Sequence, residues 1–315
     1  MTTARICLAG ASGYLGARVA AAFRARAVPV SAILRSPGDG AAVSQLRSLG
    51  ADVFFADAAR HEDYGPALKD VGTAISCMAS RNVHVDRASD FWAIDRDANI
   101  RFGLAAVAAH ARCIILVATY EGVASRYCSA LSEAKEQAVD VIAAACGIAG
   151  IPFVVIRPTA YFSDLTNRAF DSVAAHHRYT EIGDGTRRIN PVDGDDVATF
   201  IVARAIAPGA ARADYPVGGP DVFTFRQIGE LAAEVLGTRA ALQVRAIPPG
   251  VLRVAAGLAA AGGTCSARLR RTAAILRWMI YAGTHDAVAP SCGERHLRTN
   301  YEARARSVAA SWAAF

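Results

Sequence analysis

The chain has 315 residues, of which 53% are hydrophobic and 20% are charged, and its formal net charge is +6. This composition is typical of a soluble globular protein and excludes a disordered chain. The positive charge is scattered and forms no Lys/Arg block, so a phosphorylated cofactor or an anionic substrate accounts for it better than a nucleic acid, which we exclude as a partner.

The chain contains seven cysteines, at positions 7, 77, 113, 128, 146, 265 and 292. No two of them form a Cys-x-x-Cys pair, and several lie in apolar runs where cysteine packs as a small hydrophobic residue. We therefore expect a reduced, cytoplasmic protein with no disulfide framework, no metal site and no secretory leader.

The first motif is a short apolar strand, Arg5–Ala9, followed at once by a glycine-rich turn and a helical pattern. Leu15, Val19 and Phe23 recur every four residues, which predicts a helix after the turn. Glycine permits a positive φ and a close approach of a pyrophosphate, and the helix N-terminus offers free N–H groups to the anion. The motif predicts a dinucleotide site at Gly10, Ser12, Gly13, Tyr14, Leu15 and Gly16. The alternative is a tight turn that binds nothing.

A second strand, Pro29–Arg35, ends in an arginine followed by Ser36. In a dinucleotide-binding fold this strand end meets the adenosine ribose, where an acidic residue would accept from the 2′-hydroxyl of NAD. Arginine instead makes charge-assisted contacts with phosphate. Arg35 and Ser36 therefore predict NADP as the cofactor, the alternative being a solvated arginine at a strand end.

The third and fourth strands, Ala51–Asp57 and Val71–Ala79, supply further candidate cofactor contacts. Asp57 either meets the adenine amino group or only caps the next turn. Ligands of open α/β sheets bind at the carboxyl ends of the strands, so Cys77, Met78 and Ala79 are expected to line the nicotinamide-ribose half of the site. No basic partner is evident for Cys77, which we interpret as a packing residue rather than a nucleophile.

Helical patterns and strands then alternate, with a long helix from about Ser89 to His110, a strand over Cys113–Thr119, a helix from about Ala130 and a strand over Pro152–Pro158. Strands that alternate with helices indicate an α/β fold with a Rossmann-type, doubly wound parallel sheet.

Beyond Pro158 the pattern changes to a smaller, mixed α/β region at the C-terminal side. It predicts a small hairpin over Thr180–Asn190, a strand over Asp214–Gly219, a helix from Thr224 to Leu236, two apolar helices from Pro248 and an arginine-rich tail. We assign residues 1–160 to an NADP-binding domain to which 191–220 return, and residues 161–190 and 221–315 to a substrate-binding region.

Two apolar stretches are candidates for membrane segments. Val141–Ile156 is interrupted by Gly147, Gly150 and Pro152, and Val251–Ala261 is shorter than a bilayer span and carries Arg253. We predict no transmembrane span. Contact of the second stretch with a membrane surface stays open, as does the oligomeric state.

The glycine turn, Arg35 and the segment Ile156–Phe162 together resemble the atypical short-chain dehydrogenase/reductase superfamily, which includes NmrA-like proteins. Within it, the sequence is similar to divinyl chlorophyllide reductases and their relatives. That similarity rests on Ser76–Arg81, Ala134–Lys135, Arg157–Phe162, Gly183–Gly185 and Pro216–Pro220. It covers residues 4 to 237 clearly and the remainder loosely.

The resemblance implies that a Tyr-x-x-x-Lys pair should do the chemistry, the lysine binding the nicotinamide ribose and the tyrosine giving a proton. Lys135 matches the lysine, but Leu131 stands at the tyrosine position and Tyr127 lies eight residues before Lys135. This departure is similar to the divinyl-reductase-like group, in which a carbon–carbon double bond accepts the hydride.

The remaining candidates follow from the ends of the strands. Thr119, Tyr120 and Tyr161 are candidate proton donors, and Pro158 is a candidate cofactor contact. The alternatives are a surface lysine at Lys135, beside Ser132 and Glu136, and simple pocket packing for Tyr161.

The sequence thus predicts an NADPH-dependent reductase of a conjugated, bulky, apolar small molecule, with Val251–Ile280 contributing to an apolar pocket. Two alternatives stay open. One is a non-catalytic NADP-binding sensor, and the other is an NAD(P)-dependent epimerase or dehydratase.

Overall fold

The computed structural model describes residues 4–57, 63–80, 91–120, 129–207 and 212–313. The chain divides into two compact units. The first comprises Met1–Arg157 and Val197–Tyr215, and the second comprises Pro158–Asp196 and Pro216–Phe315. The sequence-based assignment of a cofactor domain and a substrate region stays a prediction, because it concerns ligands.

The strands are β1 (Arg5–Ala9), β2 (Val30–Leu34), β3 (Asp52–Phe55), β4 (Val71–Ser76), β5 (Cys113–Val117), β6 (Phe153–Pro158), β7 (Arg178–Ile182), β8 (Arg188–Ile189), β9 (Arg212–Val217), β10 (Phe223–Thr224) and β11 (Gln243–Ile247). Seven of them form one sheet in the order β3-β2-β1-β4-β5-β6-β9. The pairings from β3 through β6 are parallel. The predicted Rossmann-type α/β fold is confirmed.

The helices are α1 (Tyr14–Arg24), α2 (Gly40–Ser48), α3 (Gly65–Leu68), α4 (Asn99–Ala108), α5 (Ala130–Ala149), α6 (Asn167–His176), α7 (Gly194–Ile206), α8 (Phe225–Val235), α9 (Pro249–Gly262), α10 (Ala267–Thr284) and α11 (Leu297–Ala313). A π-helical segment, Phe91–Ala98, leads into α4. The predicted start of that helix at Ser89, and also Arg81 and Tyr127, lie outside the described residues. Within the described ranges, no helix is both long enough and apolar enough to cross a bilayer.

The core of the first unit lies between its sheet and its helices. Every residue of β4 and of β6 is buried, as expected for central parallel strands covered on both faces. Leu15, Val19 and Phe23 of α1 are buried at the predicted spacing.

The predicted hairpin over Thr180–Asn190 is wrong. β7 pairs in parallel with β11, and β8 pairs antiparallel with β10, so the two strands do not pair with each other. The polar, glycine-rich pattern located a turn correctly, since Gly183 and Gly185 both have positive φ. The strand partners follow from side-chain burial and not from closeness in the sequence. Tyr179 of β7 is 5% exposed, and its hydroxyl donates to the Phe225 carbonyl oxygen at 2.7 Å.

The core of the second unit is built on α6, α8 and α11. Phe170 packs against Tyr301 at a centroid distance of 5.0 Å, and the Tyr301 hydroxyl donates to the carbonyl oxygen of Thr166 at 2.6 Å. The predicted start of a helix at Thr224 is confirmed, since Thr224 and Gln227 form a capping box at the start of α8. The arginine-rich tail forms α11.

We predict that Gly16→Ala destabilises the first unit. A Cβ at Gly16 would lie 2.1 Å from the Gly10 carbonyl oxygen, and backbone cannot give way as a side chain can. We expect the free energy of unfolding to fall by about 3 kcal/mol, the upper end of typical overpacking costs, as measured by urea denaturation followed by circular dichroism.

The matched control is Gly147→Ala in α5, where an added Cβ meets nothing within 4 Å. Alanine in an exposed helix interior should raise the free energy of unfolding by roughly 0.5–1 kcal/mol. Equal unfolding midpoints for the two variants would contradict the packing argument.

Candidate functional site at the carboxyl edge of the sheet

The turn after β1 brings three backbone segments into contact. Gly10 has a φ of +77°, and a Cβ there would lie 2.9 Å from the backbone of Cys77 and of Met78. Gly16 brings α1 against the Gly10 carbonyl group in the same way. Gly10 and Gly16 are therefore required by packing, whether or not a ligand binds.

Gly13 is different, because its position is open. A Cβ there would approach only the Gly10 carbonyl oxygen, at 3.3 Å. Gly13 is the N-cap residue of α1, no side chain caps this end of the helix, and the first turn of α1 carries no acidic residue. Uncapped N–H groups and the positive end of the helix dipole form a suitable anion site. The predicted residues Ser12, Tyr14 and Leu15 flank Gly13 at this turn.

A further positive charge lies one turn into α1. The Arg18 guanidinium stacks on the Tyr14 ring at 3.9 Å and donates to the Tyr14 carbonyl oxygen at 2.9 Å. Sequence reasoning did not select Arg18. It adds to the positive potential beside Gly13.

Arg35, Ser36 and Asp57 follow the strands next to this turn. Ala9 of β1 pairs with Ile33 of β2, and Leu34 pairs with Phe55 of β3, so the three strands end at the same edge. Arg35 and Ser36 are exposed, and Asp57 is half-buried. The structure thus places these three candidates at the same edge of the sheet as the glycine turn, and their cofactor contacts stay a prediction.

Cys77 and Met78 cover the other side of the turn. The Cys77 N–H donates to the Ala9 carbonyl oxygen at 3.0 Å, while Met78 is buried and Ala79 is exposed. Burial raises the pKa of the Cys77 thiol to about 12, against a smaller lowering by the charge of Lys135. The thiol stays protonated at neutral pH, which supports a packing role rather than a nucleophilic one.

Lys135 forms a buried ion pair with Asp95. The Lys135 Nζ lies 3.0 Å from the Asp95 Oδ1, and the two residues are 9% and 0% exposed. Asp95 Oδ2 also accepts from the Ser80 N–H at 3.2 Å. The alternative interpretation of Lys135 as a surface lysine is therefore wrong.

Sequence reasoning missed Asp95, although a signal existed. The π-helical segment and α4 bury Phe91, Asp95, Ala98 and Phe102, so the carboxylate interrupts an apolar stripe at helical spacing. Buried carboxylates are rare unless paired. The apolar stripe in the sequence does not show which positively charged residue pairs with Asp95.

Leu131, half-buried on α5, stands one turn before Lys135 and has no proton to give. Ser132 is nearer to Lys135 in the sequence than Leu131 is, but its N–H and its hydroxyl both contact the Ser129 Oγ at the start of α5, each at 3.2 Å. The described part of α5 therefore presents no tyrosine at the expected position.

A buried arginine organises the end of β5. Arg157 is 5% exposed and donates to Glu136 Oε1 at 2.6 Å, to Asp214 Oδ1 at 2.7 Å and to the Thr119 carbonyl oxygen at 2.9 Å. Burial disfavours its charge, but the bonds to Glu136 and Asp214 outweigh burial and raise the pKa of Arg157. This network fixes the backbone that carries Thr119 and Tyr120.

The side chain of Thr119 is a stronger candidate for ligand contact than the sequence suggested. Its hydroxyl oxygen is buried and, among the described residues, finds no hydrogen-bond partner. Buried polar groups are nearly always satisfied, so such an atom calls for a ligand or a water molecule. Tyr120, the next residue, is half-buried.

Pro158 and Tyr161 belong to the second unit. The Tyr161 backbone forms a bridge with Val192, and the next N–H, of Phe162, donates to the Val192 carbonyl oxygen at 3.1 Å. Their role in the site stays a prediction. In α9, Val251, Val254 and Leu258 are at least 59% exposed, so this face does not line an enclosed pocket as expected.

The strand order, the glycine turn at β1 and the parallel β4 beside it define a Rossmann-type fold. Comparison with known proteins agrees. The model of the NmrA-like family matches residues 2–101.

The chain is 27% identical over 248 residues to divinyl chlorophyllide a 8-vinyl-reductase of Oryza sativa subsp. indica, covering 74% of this chain and 58% of that protein. It spans about three fifths of the length of the curated relatives it matches. The resemblance identified from the sequence, to NmrA-like proteins and divinyl chlorophyllide reductases, is confirmed.

Two solved structures show the same fold. The gox2253 crystal structure has a TM-score of 0.67 and 16% identity, with 94% of this chain and 95% of that chain covered. The UDP-glucose 4-epimerase of Thermus thermophilus, solved with NAD, has a TM-score of 0.60 and 18% identity, with coverages of 78% and 86%.

We predict that Asp95→Asn destabilises the protein more than the double variant Asp95→Asn/Lys135→Met. The single variant leaves a buried ammonium without its carboxylate, for which a loss of about 3–5 kcal/mol is typical, whereas the double variant removes both charges. Urea denaturation of these two variants, of Lys135→Met and of the parent gives the coupling energy.

The control is Glu230→Gln, which removes an exposed partner of Arg239 at 3.5 Å. An exposed pair of this kind should contribute no more than about 1 kcal/mol. If Asp95→Asn were as mild as Glu230→Gln, the pair would not be a buried, coupled one.

Proposed function

We propose that this chain binds NADPH at the turn after β1 and transfers hydride to a conjugated carbon–carbon double bond of an apolar small molecule. The observation that carries the proposal is Gly13, an open helix N-terminus without a side-chain cap, which lies beside the β1–β4 pair, where the strand order reverses. In doubly wound sheets, ligands bind at this switch point, outside the carboxyl ends of the strands.

The preference for NADPH rests on Arg35. The exposed side chain follows β2, where an NAD-binding protein would use a carboxylate against the ribose hydroxyls. A hydrogen bond to a charged group contributes about 1.5–3 kcal/mol. One such bond to the 2′-phosphate gives a preference of roughly ten- to a hundredfold.

Lys135 is the residue assigned to the nicotinamide ribose. It is one of only two lysines in a chain that otherwise uses arginine, and it is the one that is buried. Asp95 fixes the ammonium group and offsets its charge, so Lys135 can donate to ribose hydroxyls from a defined position.

NADPH supplies the hydride when bound, and the chain must position the acceptor and deliver a proton. Leu131 stands where the resemblance leads us to expect a tyrosine, so the usual proton donor for reduction of a carbonyl group is missing. In reduction of a conjugated alkene, the hydride adds to one carbon and the proton to a carbon made basic by conjugation. Thr119, Tyr120 and Tyr161 are the candidate donors, and the buried Thr119 hydroxyl, which has no hydrogen-bond partner among the described residues, supports Thr119.

A second candidate function is that of a non-catalytic NADP-binding sensor, which the missing tyrosine favours. Retention of Lys135, the lysine of the family's Tyr-x-x-x-Lys pair, favours the reductase. An epimerase or dehydratase ranks last, because that chemistry normally uses the tyrosine. The cytoplasmic location stays a prediction.

We predict that Arg35→Ala weakens NADPH binding by about ten- to a hundredfold and leaves NADH binding nearly unchanged, as measured by calorimetric titration. The 2′-phosphate is the only group that differs between the two nucleotides. Arg47→Ala, on the exposed side of α2, is the matched control and should change neither affinity.

In the same titrations, Gly13→Val should abolish binding of both nucleotides while circular dichroism stays unchanged. If the parent protein bound neither nucleotide, the cofactor assignment and both candidate functions would fall. If Arg35→Ala lost affinity equally for NADPH and NADH, only the predicted preference for NADPH would be contradicted.

We predict that the parent protein oxidises NADPH with at least one member of a panel of conjugated enones, quinones and vinyl tetrapyrroles. Asp95→Asn/Lys135→Met should retain its fold but lose about a hundredfold in kcat/KM, because the nicotinamide ribose is no longer held in place. Lys69→Met, at the exposed second lysine, is the control and should keep full activity. Tight NADPH binding with no turnover on any acceptor would favour the sensor.

A further inference from the structure

Helix α9 is apolar on two opposite faces. Leu252, Ala256 and Ala259 are buried and attach it to the second unit. On the other side, Val251, Val254 and Leu258 are 59%, 65% and 72% exposed. Their spacing of three and four residues places them in one stripe, which we call the α9 stripe. Isolated exposed aliphatic side chains are common, but a contiguous row of them marks a contact surface.

The segment that carries the α9 stripe has only positive charges. Residues 249–284, which form α9 and α10, contain five arginines and no aspartate, glutamate or lysine. Arg253, Arg268, Arg270 and Arg277 are exposed. Trp278 of α10 is also 36% exposed. Exposed aliphatic residues, arginines and a tryptophan are the combination found in helices that lie in the interface of a bilayer.

We propose that α9 and α10 form a docking surface for a bilayer that contains anionic lipids, with the α9 stripe inserted among the acyl chains and the arginines at the headgroups. α9 has 14 residues, fewer than the roughly 20 that a spanning helix needs, so it lies on the membrane and does not cross it. The proposal does not depend on the bound nucleotide.

Charge complementarity favours a lipid surface over a second copy of the chain. A symmetric dimer through the stripe would place the same patch of each copy against the other. Two segments that each carry a charge of +5 would then face each other, whereas an anionic membrane attracts every arginine.

The test is flotation of the full chain with vesicles of phosphatidylcholine alone and of phosphatidylcholine with phosphatidylglycerol. We expect the chain to float with the anionic vesicles, to release them at high salt, and to bind the neutral vesicles far more weakly. Val254→Ser/Leu258→Ser should weaken partitioning by about 30-fold or more, because two largely exposed aliphatic side chains no longer insert.

The matched control is Ile148→Ser/Ile206→Ser, which removes two side chains that are 91% and 61% exposed on α5 and α7. Partitioning of this variant should equal that of the parent. A second variant, Arg268→Gln/Arg277→Gln, should lose roughly tenfold or more on anionic vesicles and little on neutral ones.

Three results would overturn the proposal. The first is a parent chain that stays at the bottom of the gradient, unbound, with both kinds of vesicle. The second is equal flotation of the Val254→Ser/Leu258→Ser variant and the parent. The third is a parent chain that sediments as a dimer while this variant sediments as a monomer. The third would assign the stripe to a second copy. NADPH titration of the same samples checks folding and keeps this outcome separate from the proposed reductase.

Discussion

Three backbone segments meet at Gly10 with no room for a side chain. The end of β4 and the start of α1 both approach the residue so closely that any Cβ at Gly10 or Gly16 would contact backbone atoms within 3 Å. This contact sets the direction of α1 relative to the strands. Because the carboxyl ends of parallel strands lie at one edge, it also decides where the helix N-terminus opens. Gly13 then lies at the open point of the turn, next to the strand ends that carry Arg35, Asp57 and Cys77.

The first unit buries charged side chains at two adjacent places. Neither ion pair contributes much to the net free energy of unfolding. Lys135 with Asp95, and Arg157 with Glu136, are buried pairs that lose their hydration on folding, so the net gain in stability from each pair is small while removal of one partner is costly. Asp214, the second carboxylate bonded to Arg157, is exposed. The main effect of both pairs is to hold side chains and backbone in fixed positions. Arg157 holds the chain after β5 through the Thr119 carbonyl oxygen, and Asp95 holds the Lys135 ammonium beneath the end of β4. The Thr119 hydroxyl, which finds no hydrogen-bond partner in the part of the chain that the structure describes, lies within the segment that Arg157 fixes.

The second unit combines a conventional core with one apolar helix face that stays exposed among the described residues. Phe170, Tyr179 and Tyr301 are buried, and the two tyrosine hydroxyls donate to the carbonyl oxygens of Phe225 and Thr166. α9 instead divides its apolar side chains between this unit and the outside. A helix needs only one apolar face to fold onto its own protein, so a second, exposed one supports contact with something else. A membrane surface fits the accompanying charges.

The sequence by itself determined the elements whose signals are local. The glycine spacing, the apolar runs and the helical periodicity predicted the strands β1 to β6, the helices α1, α4 and α5, the edge of the sheet where the candidate site lies and the family resemblance, whereas α2 was not predicted. Tertiary structure decided what depends on residues far apart in the chain. Asp95 and Lys135 are separated by forty positions, and β7 takes β11 as its partner instead of forming the predicted hairpin with its neighbour. Periodicity reports which face of an element is apolar, but it does not report which distant face covers it. That choice is made by packing, when burial of a charge or a strand edge requires a specific partner.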